Sequence, residues 1–179
     1  LFRDAAAIER LRAVDTLIVD KTGTLTVGKP AFSRAIAVEG EQSEEVLRLA
    51  ASLDQGSEHP LADAIVRAAR DRLLTLHKPE SFLSSSGIGV RGTVAGRSLA
   101  LGNTALMTQL GVTVDSLTRQ AEALRAQGAS VMYLAQNDRL LGLLAVSDPV
   151  KDSTPEAVAV LKDAGLRIVM ATGDGLTTA

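Results

Sequence analysis

The chain has 179 residues, 46% apolar and 22% charged, with a formal net charge of −2; this balance suits one globular domain or two small ones and excludes a disordered chain. Aromatic residues make up 2% and tryptophan is absent, so there is no stacking platform for single-stranded nucleic acid, and the slight negative charge draws neither nucleic acid nor anionic lipid. There is no cysteine and the only histidines are His59 and His77, which excludes disulfides, cysteine-based metal sites and histidine-rich metal centres.

In chain order, Ala5 to Ala13 has the spacing of a short amphipathic helix, with Ile8 and Leu11 on one side. Leu17-Ile18-Val19 follows as a short apolar run suited to a buried parallel strand, and Asp20 stands at its carboxyl end, where open α/β sheets place ligands and catalysis. Gly28-Lys29-Pro30 makes a turn, and the texture then changes. Ser43 to Ser52 and Leu61 to Leu74 carry helical periodicity, the first opening on Ser43 as a cap. Ser81 to Leu101 reads as short strands between glycine turns, Asp115 to Gln127 as a helix stopped by Gly128, and Val131–Ala135 with Leu140–Val146 as a hairpin around Asn137-Asp138. Thr154-Pro155 then starts a helix that Gly165 closes, and Leu166 to Ala171 is a second buried-strand candidate ending in Thr172-Gly173-Asp174.

Two strands ending in acidic loops thus bracket a mixed middle. The expected architecture is a discontinuous α/β domain, residues 1–28 and 147–179, with an α+β domain of antiparallel sheet and helices inserted at 29–146. The longest apolar stretch, Leu140 to Val146, is far short of the roughly 18 residues that span a bilayer. The chain begins with Leu and stops just after a loop, which reads as an excised piece.

The strongest chemical signal is Asp20-Lys21-Thr22-Gly23-Thr24-Leu25-Thr26. A carboxylate at a strand end supplies an oxygen nucleophile for phosphorus, and Lys21 with the loop amides can offset charge on phosphoryl oxygens. Asp174, from the other strand end, is placed to face the same pocket. Two other glycine patterns are rejected. Gly23 to Lys29 has P-loop spacing, but Pro30 stands where a hydroxyl should hold magnesium; Gly87-Ile88-Gly89-Val90-Arg91-Gly92 fits a dinucleotide fingerprint, but strand-like rather than helical sequence follows it.

The seven residues from Asp20 match the phosphorylation motif of P-type ATPases, within the haloacid-dehalogenase-like superfamily, and the chain resembles the cytosolic ATP-binding region of the heavy-metal branch. Soluble phosphatases of that superfamily resemble Asp-x-Asp-x-Thr, with a second Asp that speeds hydrolysis of the phosphoenzyme; Thr22 stands at that position here. Losing an acid/base group worth on the order of a hundredfold lets an acyl phosphate persist, which suits a pump rather than a phosphatase. Ser57-Glu58-His59-Pro60-Leu61 is similar to that branch's Ser-Glu-His-Pro-Leu signature, which implies His59 at the adenine ring, with Glu58 beside it. Read without the family, a histidine ahead of a proline, as His59 is ahead of Pro60, is more often a helix-start residue than a ligand contact; the motif reverses that preference.

The resemblance further implies nucleotide contacts at Gly87, Gly89, Gly102 and Asn103, although hairpin glycines are common and Asn103 could simply cap the helix that follows. Asp54 stands where the family has a Glu near the adenine edge. Asp148-Pro149-Val150-Lys151 resembles the re-entry into the phosphorylation domain, with Asp148 at a hinge and Lys151 near phosphate charge; an ordinary strand-to-helix turn reads the same. Thr172-Gly173-Asp174-Gly175 resembles the Thr-Gly-Asp-Asn loop, with Gly175 in place of Asn. Cofactors implied are ATP and Mg2+, the latter held in part by Asp20 and Thr22. Partners implied are the transported cation, copper or silver with zinc, cadmium or lead as the alternative, and the membrane and actuator parts of a bacterial inner-membrane pump. The piece alone is expected to bind ATP with little turnover.

Overall fold

A computed structural model describes residues 14–171; the expected helix at Ala5–Ala13 and the loop carrying Thr172 and Asp174 lie outside them. The described chain divides into two compact units, Pro30–Asp148 and a smaller one of residues 14–29 with 149–171.

The smaller unit is built on β1 (Thr16–Asp20) and β8 (Arg167–Ala171), which pair in parallel from Thr16 opposite Arg167 to Asp20 opposite Ala171. Parallel neighbours need a crossover, and helix α5 (Thr154–Asp163), with Pro155 in its first turn, leads into β8. Both apolar runs were expected to be buried. They form strands, but Ile18 is 68% exposed, and no residue of α5 is buried. Apolar β-branched residues fix the strand conformation; they do not supply the layers that would cover it.

The larger unit is a six-stranded antiparallel sheet in the order β2-β7-β6-β5-β4-β3. Its strands are β2 (Ala31–Ala37), β3 (Ser81–Ser85), β4 (Gly89–Val94), β5 (Arg97–Gly102), β6 (Ser130–Gln136) and β7 (Arg139–Ser147). Helices α1 (Ser43–Asp54) and α2 (Pro60–Asp71) join one core cluster with Leu99, Leu101, Leu134 and Leu144 of the sheet. Helices α3 (Thr104–Gln109) and α4 (Thr118–Arg125) join a second cluster with Ala100, Tyr133, Leu143 and Ala145. The period-2 alternation of strands sends consecutive residues to opposite faces, so Leu99 and Leu101 serve the first core and Ala100 the second. In this way a sequence poor in aromatics builds two aliphatic layers on one sheet.

Several local expectations change. The cap of α1 is Gln42, without a side-chain cap bond, and Ser43 is the first helical residue; Glu44 and Glu45 in the first turn favour that end of the helix dipole instead. Helix α2 stops at Asp71, short of Leu74. Leu73 turns left-handed with φ 57°, and the bonds Leu73 N to Arg70 O and Leu74 N to Ala69 O close a Schellman motif with leucine where glycine is usual. The helix expected from Asp115 begins as a tight 3₁₀ turn, Asp115–Leu117, before α4. The hairpin around Asn137-Asp138 forms as expected, with Asn137 at φ 55°. Strand β2 has no counterpart in the sequence reading: it is a bulged strand with Ser33 and Arg34 in its middle, so its alternation is broken.

Candidate functional site

Asp20 is the last residue of β1 and is exposed. Residues Lys21–Leu25 then form one wide π-type turn, a geometry that recurs at functional positions. Thr26 holds the turn: its hydroxyl accepts from Gly23 N at 3.0 Å and donates to Lys21 O at 3.1 Å, and the residue is only 2% exposed. The segment after Asp148 binds the same turn from the other side. Val27 N donates to Pro149 O at 2.8 Å and Lys151 N to Leu25 O at 3.0 Å, while the Thr154 hydroxyl donates to Leu25 O at 2.7 Å. The Lys151 ammonium donates to Gly23 O at 2.8 Å. Lys151, expected near phosphate charge, therefore spends one of its three donors on the glycine turn. Asp148 is half-buried where the larger unit ends. Thr26 and Thr154 had no assigned role from sequence, because a threonine that binds backbone looks like any surface threonine.

In the larger unit, His59 caps α2. Its Nδ1 accepts from Leu61 N at 3.1 Å, and Pro60 takes the first helical position, where a missing N–H costs nothing. With Nδ1 accepting, the ring proton sits on Nε2. The ring is exposed and offers Nε2–H and a flat face; Glu58 beside it is exposed too. The helix-start and ligand readings of His59 are thus compatible.

Asp54, the last residue of α1, is 4% exposed and its Oδ2 has no hydrogen-bond partner. Burial pushes its carboxyl up to about 7, because the charged form loses its hydration. It lines a cavity of about 210 Å³ with Gln55, Ser57, Asp63, Val66 and Arg70. Neither His59 nor the glycine turn is among the lining residues. The wall is fastened by Gln55 Nε2 donating to His77 O at 3.0 Å and by His77 N donating to Ser52 Oγ at 3.1 Å, a structural use of His77 through its backbone.

Gly87, Gly89, Gly102 and Asn103 come together at one end of the sheet. Gly89 and Gly102 are partners in the β4–β5 ladder. A Cβ on Gly89 would lie 2.3 Å from Leu101 O, and one on Gly102 would lie 2.4 Å from Ile88 O, so close backbone approach accounts for both glycines. The Asn103 side chain donates from Nδ2 to Gly87 O at 2.9 Å and accepts at Oδ1 from Leu106 N at 3.1 Å. Among the described residues no group of three or more His, Asp or Glu gathers as a metal site.

The family model for haloacid dehalogenase-like hydrolases matches residues 14–179. Over all 179 residues the chain is 43% identical to the silver exporting P-type ATPase of Salmonella typhimurium, covering 22% of it. It is 46% identical to the copper-exporting P-type ATPase of Legionella pneumophila, again over all 179 residues, covering 24% of that protein. The chain therefore spans about a quarter or less of the length of these relatives. Among solved structures, a zinc-transporting PIB-type ATPase matches with TM-score 0.74 and 32% identity over 99% of this chain and 29% of its own. The N-domain of a copper-transporting P-type ATPase matches with TM-score 0.56 and 27% identity, over 66% of this chain and 99% of its own. The chain belongs to the haloacid dehalogenase-like hydrolase family, and its relatives there are heavy-metal P-type ATPases.

Proposed function

We propose that this chain is the ATP-binding and phosphorylation region of a heavy-metal P-type ATPase that moves copper or silver ions across a membrane through an aspartyl-phosphate on Asp20. The observation that carries the reading is an exposed carboxylate at the end of a parallel strand, followed by a π-type turn that polar bonds hold from both sides. Similarity over all 179 residues of this chain to copper and silver exporters supports the choice of cargo. No helix among the described residues is long and apolar enough to cross a membrane; the metal path is proposed for membrane parts of a longer parent protein.

In this reading an Asp20 carboxylate oxygen attacks the γ-phosphorus of ATP. The bond from that phosphorus to the β–γ bridging oxygen breaks, and ADP leaves with the electron pair. Lys21 and the turn amides offset charge on the transferring group. Lys151 holds Gly23 O and keeps two further donors for phosphate oxygens. Water later cleaves the acyl phosphate, which frees Asp20 and inorganic phosphate; Thr22 supplies no acid/base group to hasten this step. A magnesium ion prefers oxygen ligands and keeps several waters, so the Asp20 carboxylate and Thr22 fit it as partial holders, with Thr172 and Asp174 proposed beside the phosphoryl group. When bound, the ion neutralises phosphate charge. ATP itself is proposed to sit with its adenine at His59, its polar edge toward Asp54 and Glu58, and its path along Gly87, Gly89 and Gly102, with Asn103 bonded to Gly87 behind that path and Asp148 as the hinge.

The parent protein, given ATP labelled at the γ-phosphate and quenched in acid, should carry label that hydroxylamine releases, and Asp20→Asn should carry none. Label that survives Asp20→Asn would end this reading. Calorimetry on the chain with ATP and GTP should show adenine preference, with affinity falling about tenfold or more in His59→Ala, the scale of one lost stacking or hydrogen-bonding contact.

A further inference from the structure

We infer that Asn103 is a positioning residue, a clasp that fixes the Gly87–Gly89 turn, and that it does not itself touch the nucleotide. The inference rests on the nucleotide site proposed above and concerns how that site keeps its shape.

Both ends of the Asn103 carboxamide are engaged within the protein. Nδ2 donates to Gly87 O at 2.9 Å, Oδ1 accepts from Leu106 N at 3.1 Å, and the Asn103 backbone N donates to Ile88 O at 3.0 Å. A helix cap alone needs only an oxygen, which Ser, Thr or Asp supplies equally well. The amide nitrogen is what a cap leaves unused, and here it goes to the turn.

The bond to Gly87 O also has a specific target. Gly87 O and Ile88 N belong to one peptide unit, and Ile88 N donates to Ser85 O at 3.1 Å. That peptide plane is pinned at both edges, by Asn103 on one and Ser85 on the other. Gly87 has φ 71°, and a Cβ built on it would meet nothing within 4 Å, so side-chain packing does not hold it. A glycine turn facing open space has many conformations to lose, and Asn103 removes that freedom before a ligand arrives, which favours binding.

The test uses the whole chain, free and titrated with ATP, ADP and AMP in the absence of magnesium. Asn103→Ser keeps a capping oxygen but cannot reach Gly87; Asn103→Ala loses both bonds. In the free protein, Asn103→Ser should shift the amide NMR signals of Gly87, Ile88 and Gly89 while those of Leu106 and Met107 stay put. Affinity should fall by the same factor for all three nucleotides, about tenfold, the scale of one lost hydrogen bond. A loss that grows with the number of phosphates, without free-state shifts at the turn, would overturn the proposal in favour of direct contact. So would Asn103→Ser binding as the wild type does. Wild-type chain that binds no nucleotide would overturn the nucleotide reading instead, and the free-state signals would still show whether the clasp exists.

Discussion

The two units use the same kinds of residue to opposite ends. In the larger one, apolar strands vanish between helices: Leu134, Leu143 and Leu144 are 0% exposed. In the smaller one, Ile18 sits on an equally apolar strand and is 68% exposed, and definite geometry comes from hydrogen bonds around Thr26, Lys151 and Thr154. One unit is held by side-chain burial, whereas the turn after Asp20 in the other is held by hydrogen bonds to its backbone. A rigid scaffold with function carried on a polar loop is the usual division of labour in folded proteins.

The sharpest test of that contrast is truncation on each side. Leu134→Ala should cost about 2–5 kcal/mol in chemical denaturation, by lost transfer energy plus the cavity left behind. Ile18→Ala, at an exposed position, should cost under about 0.5 kcal/mol; a large loss there would break the comparison.

A second test exploits Asp54. Its carboxyl is raised from 3.8 to about 7 by burial. The folded protein therefore holds a proton between those values that the unfolded chain has released, and stability must fall as pH rises through that window. The contribution is fully present below pH 4 and lost above 7, with a total of up to about 4 kcal/mol at ~1.4 kcal/mol per pKa unit. Denaturation midpoints measured from pH 4 to 8 should show this slope, and Asp54→Asn should flatten it. A slope that survives the substitution would assign it to another group.

A smaller loss than at Leu134 or Asp54 is expected at the turn. Thr26→Val removes the hydroxyl bonds to Gly23 N and Lys21 O and should cost about 1–2 kcal/mol, the scale of a buried bond left unmade. Amide exchange at Gly23 should quicken, while the core of the larger unit stays protected.

These contrasts also explain what the sequence made legible. Asn137-Asp138 announced its hairpin because a two-residue loop needs left-handed residues, and asparagine tolerates φ 55°. The strand end at Asp20 and the turn after it were legible because an apolar run followed by a glycine turn is a local pattern. Strand β2 did not, since a bulge and Arg34 interrupt its alternation. The end of α2 was missed because Leu73 stands where a glycine would have marked the stop. Asp54 was read as a shortened contact; that its Oδ2 is buried without a partner depends on α2 packing beside it, which no local window contains. The bonds that hold the turn after Asp20 were equally hidden, because Lys151 and Thr154 are more than a hundred residues away in sequence and bind carbonyls, which every residue has.

The ladder between β2 and β7 has one more consequence. Ala31, where β2 begins, stands opposite Ser147, where β7 ends, so the chain enters and leaves the larger unit a strand's width apart, about 5 Å. Once that unit has folded, the flanking segments behave as though joined by a short tether, and the entropy of closing a very long loop no longer opposes their pairing. An insertion whose ends meet in this way can be exchanged, lengthened or removed during evolution with little penalty to the host fold.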